Sequence, residues 1–179
     1  MKVGDFQGFP VTTKLVQDKF KSTPLLQDFI TIEQCSLEYD PSRGASIDPH
    51  IDDCWVWGER VVSVNLLGDA VLTLTRYKGE DWRYNLPLAP DPKDWYQGTT
   101  DNGEADVIVR IPMPRRSLIV LTGAARYRWL HSVLRSDITE RRVCLAYREL
   151  TTPYLPGGNK WNEAKEILEK ATNFWVPAT

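Results

Sequence analysis

Eight short runs rich in Val, Ile, Thr and Tyr follow one another from residue 28 onward: FITIEQCSLEY, ASIDPHI, RVVSVNLL, AVLTLTRY, ADVIVRIP, SLIVLTG, LHSVL and RRVCLAYREL. Gly, Pro and Asp punctuate them, and these residues favour the turns that separate strands. No helical pattern intervenes between consecutive runs. A mainly β fold follows, because strands in unbroken succession must cover each other's apolar faces as a sandwich or jelly roll.

Helical spacing is confined to the ends. TTKLVQDKFKSTPLLQDF carries apolar residues at loosely helical intervals and is broken at Pro24, which predicts a short N-terminal helix and a turn. NEAKEILEKATNFW repeats apolar residues at Ala164, Ile167, Leu168, Ala171, Phe174 and Trp175. That stripe predicts an amphipathic helix over about residues 160–175, lying across the outside of a sheet. Residues 79–104 hold Pro87, Pro90 and Pro92 beside Trp82, Tyr84, Trp95 and Tyr96, the composition of a long loop with aromatic anchors. At 179 residues and 42% apolar, the chain supports one core of ordinary size, so a single domain over 1–179 is expected, with its core at about 30–158.

A net charge of -2 and a pI near 5.7 give no global electrostatic reason to bind nucleic acid or an anionic membrane. No apolar run approaches the roughly 20 residues of a membrane helix. Cys35, Cys54 and Cys144 are an odd number at wide spacing, which points to reduced thiols inside a cell.

The chain has two histidines. His50 and Asp52 stand two apart, so an extended segment presents an imidazole and a carboxylate on one face. His131 sits in RYRWLHSVLRS, where a neighbouring strand can deliver a third ligand. Two histidines and a carboxylate with open positions suit Fe(II) that must bind a co-substrate and dioxygen. The competing readings are a surface His-x-Asp pair and a core histidine. In RRVCLAYREL the residues Arg142, Cys144, Ala146 and Arg148 share one face, with Val143, Leu145 and Tyr147 on the other. Guanidinium forks bind carboxylates bidentately, so that face can hold a dicarboxylate between an arginine and a metal; the alternative is an outward polar face.

These residues together resemble the Fe(II)/2-oxoglutarate dioxygenases of the AlkB type. His50-x-Asp52, His131, and Arg142 followed by Arg148 match that pattern, with YDPSRG similar to the family's Tyr-x-Pro turn. The stretches IDPHIDDCWVWGERVVSVNLL, RSLIVLTGAARYRWLHSV and RRVCLAYREL are most similar to the AlkB homologue four subfamily. The resemblance covers about residues 30–158. It implies a double-stranded β-helix (jelly-roll) oxygenase core, with His50, Asp52 and His131 ligating iron. It further implies Arg142 on the distal carboxylate of 2-oxoglutarate, Tyr39 adding a hydroxyl contact, and Arg148 nearer the metal-bound end. The implied reaction is oxidative N-demethylation with dioxygen, on monomethyl-lysine in a protein such as actin or on N6-methyladenine in DNA, in the cytoplasm and nucleus. A non-catalytic scaffold on the same fold is the reading from another class.

Two departures stand out. Leu37 and Glu38 precede Tyr39 where many relatives carry an asparagine, and the subfamily's N-terminal cysteine-rich segment has no counterpart, which predicts a catalytic-domain piece. Of the remaining residues, Cys54 is expected to be a buried apolar filler and Asp53 to point away from the metal. Trp55 and Trp57 are either core or mouth, and AARYRW is expected to be a snorkelling surface. Arg115, Arg116, Arg126, Arg128, Arg141 and Lys78 are the cations able to converge into a patch for phosphate. The 79–104 loop is read as rim or lid over the substrate entrance, against an insertion far from the chemistry.

Overall fold

The structure, a computed structural model, describes residues 4–89 and 107–176. All eight runs form strands: β2 (Glu33–Tyr39), β3 (Ile47–His50), β4 (Trp57–Leu67), β5 (Ala70–Arg76), β6 (Ile108–Met113), β7 (Leu118–Leu121), β8 (Trp129–Val133) and β9 (Arg142–Leu150). They build two four-stranded sheets, ordered β2-β9-β4-β7 and β3-β8-β5-β6. Every pairing within them is antiparallel. One apolar cluster joins the inner faces: Tyr39, Val61, Leu121 and Cys144 from the first sheet meet Leu72, Leu74, Met113 and Val133 from the second. The architecture is a jelly roll, as the strand succession implied.

The period of two in β9 is what makes this sandwich hold a site. Leu145 and Tyr147 turn outward and pack with Val62 and Val64 under Phe20 of helix α1 (Lys14–Phe20). The Phe20 and Tyr147 rings meet edge to face with centroids 5.1 Å apart. Arg142, Cys144, Ala146 and Arg148 turn inward and line the interior cavity. The outward polar face considered for this strand is therefore overturned. Between β4 and β5 the chain reverses at Gly68, with φ +70°, where a Cβ would come within 2.6 Å of the Arg141 carbonyl oxygen; only glycine fits that approach.

Two expectations need correction. The C-terminal helix α3 spans Trp161–Lys170 and buries Ala164 and Ile167, but it stops short of residue 175. Thr172 Oγ1 donates to the Glu169 carbonyl at 2.7 Å, a local bond that competes with helix continuation. Phe174–Trp175 instead form strand β10, parallel to β1 (Phe9–Pro10). The stretch AARYRW is not a snorkelling surface: Gly123–Tyr127 make the short helix α2, with Arg126 and Tyr127 buried.

Candidate functional site

His50 and His131 are direct cross-strand partners of β3 and β8, and their ring centroids lie 4.2 Å apart. Strand β3 ends at His50, so Asp52 comes from the turn that follows. The ligating atoms of His50, Asp52 and His131 nevertheless fall within 4.8 Å of one another. His50 Nδ1 lies 2.8 Å from the Asp48 carbonyl oxygen, which fixes the ring and leaves Nε2 for a ligand.

Asp52 is held at its two ends. Its carboxylate Oδ1 accepts from Arg148 Nε at 2.7 Å, and its backbone carbonyl accepts from Arg126 Nη1 at 2.8 Å. Oδ2 is buried without a hydrogen-bond partner and lies 3.6 Å from His131 Nε2. Burial opposes ionisation of Asp52, but the charges around it, Arg148 first, hold its carboxyl below the usual range. Burial is also the main reason that the His131 imidazole is pushed down to about 4. One carboxylate anion and a neutral buried imidazole are what a divalent cation requires of such ligands. The orphaned buried Asp52 Oδ2 and the nitrogen, nitrogen, oxygen donor set fit a facial Fe(II) site with open positions.

The same cavity, about 590 Å³ including its mouth, runs from His50, His131 and Arg148 to Arg142 and Tyr39. Arg142 is almost fully buried. Its Nε donates to Asn65 Oδ1 at 2.8 Å, and its guanidinium lies 4.7 Å from the Tyr39 ring centroid. Arg142 Nη1 and the Tyr39 hydroxyl are both buried without a partner. A guanidinium edge and a hydroxyl left unpartnered in an apolar cavity form a receptor for a carboxylate. Burial pushes the Tyr39 hydroxyl up to about 12, so it stays protonated as a donor. The structure thus lines one cavity with five of the six expected residues, Arg148 at the histidine end and Arg142 at the other, and sets the sixth, Asp52, against the two histidines.

Several neighbours follow expectation. Cys54 is buried, and Asp53 faces away from the cluster, accepting from Asn85 Nδ2 at 3.0 Å on both oxygens. Trp57 lies under Arg148, 5.7 Å from guanidinium carbon to ring centroid. Trp55 is 41% exposed and edge-on to Tyr154. Three participants were missed. Asn65 orients Arg142 while its amide donates to the Gly68 and Met113 carbonyls at 2.6 and 2.9 Å. Glu33 accepts from Arg148 Nη1, and Arg126 holds the turn that carries Asp52. Asn65 alone had a signal: a lone amide within VVSVNLL must find partners if the strand is buried.

The part of the 79–104 loop within the described residues packs beside this centre. Two short 3-10 turns span Asp81–Tyr84 and Leu86–Leu88. The Cys54 amide donates to the Tyr84 carbonyl at 3.0 Å, and Leu86 joins Ile51, Cys54 and Tyr127 in one apolar cluster. Trp95 and Tyr96 lie outside the described residues. The six cations do not form one patch. Arg126 is buried and Arg141 pairs with Glu38 at 2.5 Å.

No protein-family model matches the chain. It is 41% identical over 182 residues to alpha-ketoglutarate-dependent dioxygenase alkB homolog 4 of Mus musculus and 40% identical to the Homo sapiens protein of that name. Both matches cover 97% of this chain and 59% of the relative, so the chain spans about three-fifths of their length. A Caenorhabditis elegans DNA N6-methyl adenine demethylase is 27% identical over 179 residues, 99% of this chain and 53% of that protein. With this identity running through a jelly roll whose cavity is lined by His50 and His131, grouped with Asp52, and by Arg142, the chain is similar over nearly its whole length to the alkB homolog 4 dioxygenases.

Proposed function

We propose that the chain is a 2-oxoglutarate-dependent oxygenase that removes N-methyl groups. The observation that carries this reading is one cavity with an unpartnered buried polar group at each end: Asp52 Oδ2, grouped with the two histidines that line it, and Arg142 Nη1 beside the Tyr39 hydroxyl. Fe(II) held by His50, Asp52 and His131, with dioxygen and 2-oxoglutarate, supplies the oxidation that turns an N-methyl group into a hydroxymethyl group, lost as formaldehyde, while the co-substrate leaves as succinate and carbon dioxide. Arg142 and Tyr39 bind the distal carboxylate of that co-substrate. Arg148, fixed by Asp52 and Glu33, orients the Asp52 carboxylate and keeps one oxygen occupied. The apolar walls, among them Leu37, Val61, Leu72 and Ile119, exclude bulk water from the reacting end.

The substrate we favour is monomethyl-lysine in a protein such as actin. Phosphate recognition calls for a basic surface, whereas this chain is net acidic, with Arg126 buried and Arg141 paired with Glu38. N6-methyladenine in DNA is the second reading, motivated by the nematode relative's name. Free thiols at Cys35, Cys54 and Cys144 accord with an intracellular, cytoplasmic and nuclear setting. The test is the anaerobic absorption band on adding Fe(II) and 2-oxoglutarate, followed by admission of dioxygen and measurement of succinate release with a methyl-lysine peptide and with methylated DNA side by side. A metal-to-co-substrate absorption band with turnover on peptide supports the reading. Turnover on DNA alone moves the substrate, and absence of the band returns the chain to a scaffold.

A further inference from the structure

The two histidines of the centre are held by β3 and β8 pairing, residue against residue. Asp52 has no such support, because β3 ends two residues before it. Something else must place the third ligand, and Arg126 has the reach. It is 0% exposed. Its Nη1 donates to the Asp52 carbonyl at 2.8 Å, its Nη2 to the Trp57 carbonyl at 3.1 Å, and its Nε to the Gly58 carbonyl at 3.2 Å. Those carbonyls stand at the beginning and end of the 52–58 turn, so one planar fork closes the turn from inside.

Arg126 is itself well founded. Its amide donates to the Thr122 carbonyl at 3.3 Å, and at the start of α2 the Gly123 amide donates to Glu59 Oε1 at 2.6 Å. The Arg128 carbonyl, where α2 ends, accepts from the Tyr77 amide at 3.0 Å. The next residue opens β8, which carries His131. Arg126 therefore joins the turn bearing Asp52 to the element that leads into the strand bearing His131, across 74 residues of sequence.

We propose that Arg126 is a positioning residue of the metal centre, acting on the backbone where Arg148 acts on the carboxylate: it sets Asp52 against the two histidines by clamping the backbone of the 52–58 turn, and it does not touch the metal. A buried guanidinium costs several kcal/mol unless its donors are satisfied, and the donors here are spent on the turn that carries a ligand. Lysine cannot replace it, having one point charge in place of a fork with several fixed directions. This inference rests on the reading of His50, Asp52 and His131 as metal ligands.

The test uses Co(II) as probe, titrated into metal-free protein and followed by visible absorption, with circular dichroism to score the folded fraction. Arg126→Lys and Arg126→Met are each expected to weaken Co(II) binding roughly ten- to a hundredfold per folded molecule, the usual consequence of losing a group that orients a ligand. In an Asp52→Ala background, where only the paired histidines remain, Arg126→Lys is expected to change the residual affinity less than about twofold, since the clamp then has no ligand to place. Unchanged affinity in Arg126→Lys overturns the proposal while leaving the metal centre intact. The same loss with and without Asp52 overturns it as well, as does unfolding of both variants, because either result makes Arg126 a general support. Absence of Co(II) binding by the unsubstituted chain defeats the metal reading itself.

Discussion

Asp52 meets two opposed demands: buried among apolar residues it should protonate, yet it must be an anion to bind a cation. Arg148 resolves the conflict by ion pairing at 2.7 Å. His131 meets the complementary demand, since burial keeps it neutral down to about pH 4. That displacement has a measurable consequence for the metal-free protein. An unfolded chain takes up a proton on this histidine near its ordinary value of 6.5, which the folded chain refuses until about 4. Stability therefore falls as pH drops through that window, by roughly 3 kcal/mol at about 1.4 kcal/mol per pH unit. The depressed carboxyl of Asp52 acts with the same sign below its ordinary 3.8. Urea midpoints of metal-free protein at about pH 7 and pH 4.5 should show the drop, and His131→Gln should flatten it; an equal drop in that variant removes the histidine as its source. At the other end of the cavity, Arg142→Ala should weaken 2-oxoglutarate binding by about 2–5 kcal/mol, the cost of leaving a buried carboxylate unpaired, and Arg142→Lys should recover only part. Co-substrate affinity that survives Arg142→Ala and collapses in Arg148→Ala would reverse the two roles.

Among the elements, β9 was the most legible because its alternation has only one consistent burial: with Leu145 and Tyr147 under α1, both arginines must face the interior. The apolar stripe of α3 was legible too, but its end was not. A helical period in sequence continues through Phe174 and Trp175, whereas the bonds that end the helix depend on Thr172 and on the distant β1. Helix α2 was illegible for another reason. Arginine at 126 reads as a surface residue, and only the carbonyls of a turn 74 residues away make its burial tolerable. The layer that covers β9 can be tested without touching the site. Phe20 is 3% exposed and the main anchor of α1 on the outer sheet face. Phe20→Ala should cost about 3–5 kcal/mol of stability, as for other buried aromatic truncations, read as a lower urea midpoint. Co(II) affinity of the folded fraction should stay unchanged, since no α1 residue lines the cavity; a parallel loss of metal affinity would show that the outer layer controls the inner face.

At the scale of the whole molecule, the two sheets divide the work. His50 and His131 belong to the β3-β8-β5-β6 sheet, while Tyr39, Arg142 and Arg148 belong to β2-β9-β4-β7. A metal alone mainly ties the histidines to the neighbouring Asp52 turn. A dicarboxylate reaching from the metal to Arg142 ties one sheet to the other through the core, so the co-substrate should stabilise the fold beyond what metal does. Ligand at a hundredfold excess over its dissociation constant adds about 2.7 kcal/mol, which for a domain of this size raises the melting temperature by roughly 5–10 °C. Under anaerobic conditions the expected order of melting temperatures is metal-free protein, then Fe(II), then Fe(II) with 2-oxoglutarate. The control is 2-oxobutyrate, which keeps the metal-binding 2-oxo acid and lacks the distal carboxylate. It should give little of the second increment in the native chain, and in Arg142→Ala the two acids should become equivalent. Equal stabilisation by both acids in the native chain would mean that the bound co-substrate does not bridge the sheets, and Arg142 would lose its assigned partner.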